Sequence, residues 1–123
     1  MNASIRIDAI VSDQTVLVGF QPTEQSGSRV RAVNLVPSKA IPASPLSYWT
    51  LSFGIWTPAA LRTLFQVSLN TGLPLSGIRV EAPISADIQR GEVLAVRFRM
   101  SGKCAAIEGL SICPEYAILT GAR

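Results

Sequence analysis

The chain has 123 residues, enough for one continuous apolar core and too few for two comfortable ones, so residues 1–123 are read as a single domain. Only 15% of its residues are charged while 48% are hydrophobic, against roughly 25% charged in an average soluble domain. With no histidine, the commonest general base and the commonest metal ligand are both missing, and Ser–His and Cys–His nucleophile pairs are excluded.

Period-two alternation of apolar and polar residues, the mark of a strand with one buried face, dominates the chain. Ile5, Ile7 and Ala9 alternate with Ser4, Arg6 and Asp8 in the first predicted strand. A second runs from Thr15 to Phe20, and the polar stretch Gln21 to Ser28, with Pro22 and Gly27, reads as a loop. Arg29 to Val36 is a third strand, followed by a long connection from Pro37 to Pro45. In Leu46 to Trp56, Trp49, Leu51, Phe53 and Ile55 share a core face. Tyr48, Thr50, Ser52, Gly54 and Trp56 share the other, which is small and polar with an aromatic at each end. Thr57 to Leu61 fits either one helical turn, with Thr57 as N-cap and Pro58 at the first helical position, or a loop.

The strand Leu64 to Leu69 follows, and Asn70-Thr71-Gly72 turns the chain. Ile78, Val80 and Ala82 then face inward, with Arg79 and Glu81 outward. After Ser85 to Arg90, Leu94, Val96, Phe98 and Met100 point one way and Ala95, Arg97 and Arg99 the other. A closing hairpin is expected about Glu108-Gly109, in which Ile107 faces Leu110 and Cys104 faces Cys113. About eight short strands separated by turns predict an all-β, antiparallel β-sandwich of the jelly-roll-like kind.

The chemistry-bearing residues are few. The acids are Asp8, Asp13, Glu24, Glu81, Asp87, Glu92, Glu108 and Glu115, most at predicted turns or outward strand positions, and none signals a catalytic pair. No glycine-rich phosphate loop precedes a helix, and two cysteines without histidine do not complete a structural zinc site. No enzyme activity, metal or cofactor is therefore expected. Cys104 and Cys113 are read as a cross-strand pair; a disulfide fits that geometry, whereas strain and a cytoplasmic origin favour free thiols.

The Tyr48 to Trp56 face is either a sugar platform, with the aromatics stacking on pyranose rings, or a packing or subunit contact. Arg97 and Arg99 are either solvated surface charge or partners for acidic groups of a neighbour. Nine of the eleven basic residues are arginine, but they are scattered along the chain, which argues against a nucleic-acid footprint despite the net charge of +3. No charge occurs between Lys39 and Arg62, yet Pro42, Pro45, Gly54 and Pro58 interrupt that span, so no membrane helix is expected. The first residues lack an apolar run of signal-peptide length, which predicts cytoplasmic synthesis. Low charge favours burial of part of the surface in an assembly over a tight monomer with a polar uncharged surface.

The stretch Ile84 to Ile112 resembles the closing strands of β-sandwich modules in tailed-phage particles. There, a turn ending in glycine and an acid, here Gly91-Glu92, feeds a long alternating strand, and a Gly-Leu hairpin, here Gly109-Leu110, brings the chain back. The aromatic, Ser- and Thr-rich segment Tyr48 to Leu69 is similar to such modules as well. The resemblance implies a virion structural protein at the capsid surface, synthesised in the host cytoplasm. Its expected role is that of a decoration or cement protein, a homo-oligomer, trimer favoured, bound to the major capsid protein. The alternative it implies is a fibre or receptor-binding module that holds a glycan. It carries no functional residues over to this chain.

Overall fold

In the computed structural model the described residues are 4–18, 28–83, 87–88 and 92–118. They form nine strands and no helix: β1 (Ile5–Ile10), β2 (Gln14–Leu17), β3 (Ser28–Pro37), β4 (Tyr48–Trp56), β5 (Leu61–Ser68), β6 (Ile78–Glu81), β7 (Asp87–Ile88), β8 (Val93–Ser101) and β9 (Ile107–Ile118). The loop expected at 21–27, the end of the second strand at Phe20, and Gly91 lie outside the described residues.

All pairings are antiparallel. One sheet has the order β1-β9-β3-β6, with β7 also on β3; the other has the order β2-β8-β4-β5. Strand β6 pairs with Ala32 to Leu35 of β3 and β7 with Ser28 and Arg29, so the two lie end to end along one edge of β3 as a single interrupted strand. Counted so, eight strands wind between two sheets in the order of a jelly roll. The predicted all-β sandwich is the observed architecture.

The core lies between the sheets. Trp49, Leu51, Phe53 and Ile55 from β4 meet Leu94, Val96 and Phe98 from β8, with Val30, Val33, Leu35, Leu110 and Ile112 from the facing sheet; all are at most 2% exposed. Trp49 stands edge-on to Phe98, with ring centres 6.4 Å apart, and Phe53 stacks on Phe65 of β5 at 5.1 Å. These are the inward positions that alternation assigns to β4 and β8. At 57–60 the chain forms a hairpin loop and not a helical turn. The Thr57 N–H donates to the Ala60 carbonyl at 2.9 Å and the Ala60 N–H to Thr57 Oγ1 at 3.1 Å, while Trp56 pairs with Leu61. Strand β5 accordingly starts at Leu61, three residues before its alternation becomes regular at Leu64.

The expected C-terminal hairpin does not form. Residues 107–118 are one strand, paired with β1 on one side and β3 on the other, so Leu110 lies between Ile7 and Pro37. Gly109 does adopt the left-handed conformation of a turn glycine, with φ +61°. Instead of reversing the chain it shifts the phase of the strand: Ile107 and Leu110, three residues apart, are both buried. On β1 the same slip leaves Asp8 and Ala9 both exposed and buries Ile10, so Ala9 is not the inward residue that simple alternation predicts. A Gly109→Ala change would impose the left-handed cost of about 1–2 kcal/mol, and its Cβ would collide with Ser38 Oγ. Chemical denaturation should show a loss at least that large, with the unfolding slope unchanged.

Candidate interaction face

Because Leu94, Val96 and Phe98 of β8 and Leu51, Phe53 and Ile55 of β4 point into the core, the residues between them lie on the other side of the sheet, where Ala95 and Ser52 are buried among their neighbours. Strand pairing arranges these outward residues in rows across the β2-β8-β4-β5 sheet. Val93, Trp56 and Leu61 form one row, and Leu17, Ala95, Gly54 and Thr63 the next. Thr15, Arg97, Ser52 and Gln66 make the third, and Arg99, Thr50 and Ser68 the fourth. The face is thus apolar at one end, where Trp56 and Leu17 are 40% and 46% exposed, and becomes hydroxyl-rich around two arginines. The Ser52 hydroxyl donates to Gln66 Oε1 at 3.2 Å, and the Thr50 and Ser68 hydroxyls lie 3.4 Å apart, which ties β4 to β5 across the middle of the face.

None of these rows carries a carboxylate. Among the described residues, Arg97 and Arg99 have no ion pair, whereas Arg29 pairs with Asp87 at 2.8 Å, Arg62 with Glu92 at 3.5 Å, Lys39 with Glu108 at 3.4 Å and Arg79 with Glu115 at 2.9 Å. Asp13, at the β2 margin, shares a pocket with the two arginines, where its Oδ1 accepts the Met100 backbone N–H at 2.8 Å. Tryptophan and arginine are the side chains most enriched in interface hot spots, and Asp, Glu and Lys are depleted there. Trp56, Arg97 and Arg99 are residues of that kind on this face, set among Ser, Thr, Ala, Leu and Val side chains that are not.

The outer face of the other sheet differs in carrying a network of paired charges around Glu115, although the exposed Arg6, Asp8 and Arg31 have no ion pair among the described residues. The Glu115 carboxylate accepts Arg79 Nε at 2.9 Å, Arg79 Nη2 at 3.2 Å and Asn34 Nδ2 at 2.7 Å, while Arg79 Nη1 donates to Glu81 at 3.0 Å. Hydrogen bonding from Arg79 first, then from Asn34, holds the Glu115 carboxyl at about 2, against an ordinary value of 4.5. The folded protein therefore binds fewer protons than the unfolded chain between those values. The stabilisation is complete above about pH 4.5 and is lost as pH falls toward 2. Thermal unfolding followed by circular dichroism should show a shallower acid-side fall in Tm for Glu115→Gln than for the unaltered chain, with the difference confined to that window.

The remaining singled-out residues are dispersed. Tyr48 and Trp56 stand at opposite ends of β4, about 26 Å apart along the strand, so they do not form one sugar platform. Tyr48 instead lines a cavity of about 450 Å³ between the chain leading into β4 and the crossing that carries the chain from β8 to β9. Lys39, Ser44, Trp49, Lys103 and Cys104 share its wall. Cys104 and Cys113 are not cross-strand partners, because the hairpin that would have opposed them is absent. Cys104 lies in the crossing before β9, Cys113 sits opposite Asn34 within β9, and both thiols are free. Among the described residues no group of three or more His, Cys, Asp or Glu side chains could hold a metal ion. No helix of the described residues is long and apolar enough to cross a membrane.

Sequence reading singled out Arg97, Arg99 and Trp56 but missed Thr15, Leu17, Val93 and Leu61, which complete the face. Alternation signals which side a residue takes within its own strand; it carries no signal for which strands lie side by side. Compared with protein-family models, curated proteins and solved structures, the chain matches none of them.

Proposed function

We propose that the protein is a structural component of a virus particle, a decoration or cement protein that works as a homo-oligomer and docks on the shell through the outer face of the β2-β8-β4-β5 sheet. The observation that carries this reading is the face itself: Arg97 and Arg99 without an ion pair among the described residues, Trp56 and Leu17 exposed beside them, and no carboxylate in any of the four rows. Jelly rolls serve as capsid and lectin domains alike, so the fold speaks for binding and assembly, and the composition of the face favours a protein partner. Of the features that resemble modules of tailed-phage particles, the long alternating strand β8 supports this reading, whereas the Gly109-Leu110 hairpin does not form. Single exposed contacts of this kind are weak, about 0–1 kcal/mol for an exposed ion pair. Many copies engaged at once on a shell reach high avidity without stronger individual contacts.

A glycan-binding module is the second reading. The cavity of about 450 Å³ beside Tyr48, with the Lys39 and Lys103 side chains in its wall, is its support. Light scattering on the purified chain, paired with retention on immobilised glycans, separates the two. A symmetric oligomer that passes the glycan column is the expected result. A monomer retained by glycans would overturn the decoration reading.

A further inference from the structure

We infer that the occupant of this face is an extended segment of a partner protein that carries two carboxylates two residues apart, one for Arg97 and one for Arg99. The inference rests on the docking role proposed for the face and names its partner's chemistry.

Arg97 and Arg99 project from the same side of β8 at alternate positions, which separates them by about 6.6–6.8 Å along the strand. Acidic side chains at i and i+2 of any extended segment share one face at the same spacing. A segment lying along β8 therefore presents both carboxylates in register with both guanidiniums. Guanidinium forks bind carboxylates with paired hydrogen bonds, a geometry that lysine does not reproduce. The neighbours Thr15, Thr50 and Ser52 are short, and the Ser52 and Thr50 hydroxyls are directed to β5; Asp13 at the β2 margin shares a pocket with the two arginines but makes no ion pair with either. Four positions before Arg97 on the same side lies Val93, paired with the exposed Trp56. A partner segment with a large apolar residue four positions from the first carboxylate would meet that end of the face.

Charge complementarity rules against the other occupants. A second copy docked face to face would set arginine on arginine, and the acid beside them, Asp13 at the margin, already accepts the Met100 backbone N–H. On the opposite sheet of a second copy Glu81 and Glu115 are committed to Arg79 within their own chain, and the exposed Asp8 of β1 has an arginine and an isoleucine, not a second carboxylate, two residues to either side. Among the described residues a nucleic-acid strand would meet two cations in these rows, too few for the counterion release on which phosphate binding depends.

The test uses the full chain, labelled with nitrogen-15, and two capped threonine-rich peptides of equal composition. Each contains one leucine and two glutamates, spaced two residues apart in one peptide and three in the other. The expected result is that the Arg97 and Arg99 Nε–Hε resonances shift together. The peptide spaced by two should bind about threefold more tightly, the share of one exposed ion pair. Added salt should weaken both, and Arg97→Gln or Arg99→Gln should each erase the preference. Equal affinity for the two peptides, or equal shifts at Arg6 and Arg31, would sink the inference. So would tighter binding of a short oligonucleotide or a sulfated oligosaccharide at the same two arginines. Failure here in a chain that is still an oligomer passing the glycan column removes the partner chemistry alone. A glycan-retained monomer removes the decoration reading, and the peptides still decide what the arginines bind.

Discussion

Replacing Trp49 by alanine is expected to lower the unfolding free energy by about 3–5 kcal/mol, the range for deleting a large buried aromatic side chain. The indole is 2% exposed, packs edge-on against Phe98, and donates its Nε1–H to the Ala105 carbonyl at 2.9 Å. That hydrogen bond matters for its position. Ala105 lies in the crossing that carries the chain from β8 in one sheet to β9 in the other, so one side chain ties the β4 surface to the connection between the layers. Trp49→Phe separates the two contributions. It keeps most of the ring volume and removes the donor, and a hydrogen bond of this kind contributes about 1 kcal/mol net. Urea titrations of both variants should place phenylalanine well above alanine. Equal losses would mean that the hydrogen bond, and not the packing, is what the site contributes.

The second large effect is expected at Gly54. A Cβ built there would overlap the Arg62 carbonyl oxygen and would lie 2.8 Å and 2.9 Å from the Arg62 carbonyl carbon and Thr63 Cα. These are backbone atoms of the paired strand, and the β4 to β5 register already shifts between Phe53 and Gly54. No side chain is available to swing aside, so Gly54→Ala requires β5 to move away from β4. Overpacking of this sort costs about 1–3 kcal/mol, and the backbone character of the contact puts Gly54→Ala at the upper end. The consequence reaches the candidate face, because Gly54 lies in the row beside Arg97 and Ser52. Gly54→Ala should therefore lower Tm and also disturb the amide resonances of Ser52 and Gln66. A stable variant with both unchanged would contradict the close approach.

The same residues explain why some of the architecture was readable in advance. Strand β4 declares itself because Trp49, Leu51, Phe53 and Ile55 alternate with small or polar neighbours, and β8 does so through Leu94, Val96 and Phe98. The Glu108-Gly109 pair predicts a tight hairpin turn, whereas in the structure Gly109, with its positive φ, shifts the phase of a continuous strand. A turn glycine and a glycine that shifts the phase of a strand have the same local sequence. What separates them is whether β1 and β3 flank the segment, and those partners lie some 75 to 100 residues away in the chain. The misplaced hairpin carried the cysteine pairing with it, since the opposition of Cys104 and Cys113 followed entirely from that turn.

Period-two patterning is a local property, set by which side of a pleated strand each residue occupies, and it is enough to predict an all-β sandwich and the inward residues of β4 and β8. The lack of histidine, equally visible, removed a large part of catalytic chemistry before any fold was known. The neighbours of each strand are another matter, because antiparallel pairing joins segments far apart in sequence through backbone hydrogen bonds that any residue can make. That is why the jelly-roll order, the separation of Tyr48 from Trp56 and the union of Leu17, Trp56, Arg97 and Arg99 on one face emerge only when the sheets assemble. It is also why Arg97 and Arg99 stand without carboxylates while Arg29, Arg62 and Arg79 have theirs. An arginine's partner is chosen by the distance between folded strands, and no spacing along the chain records it.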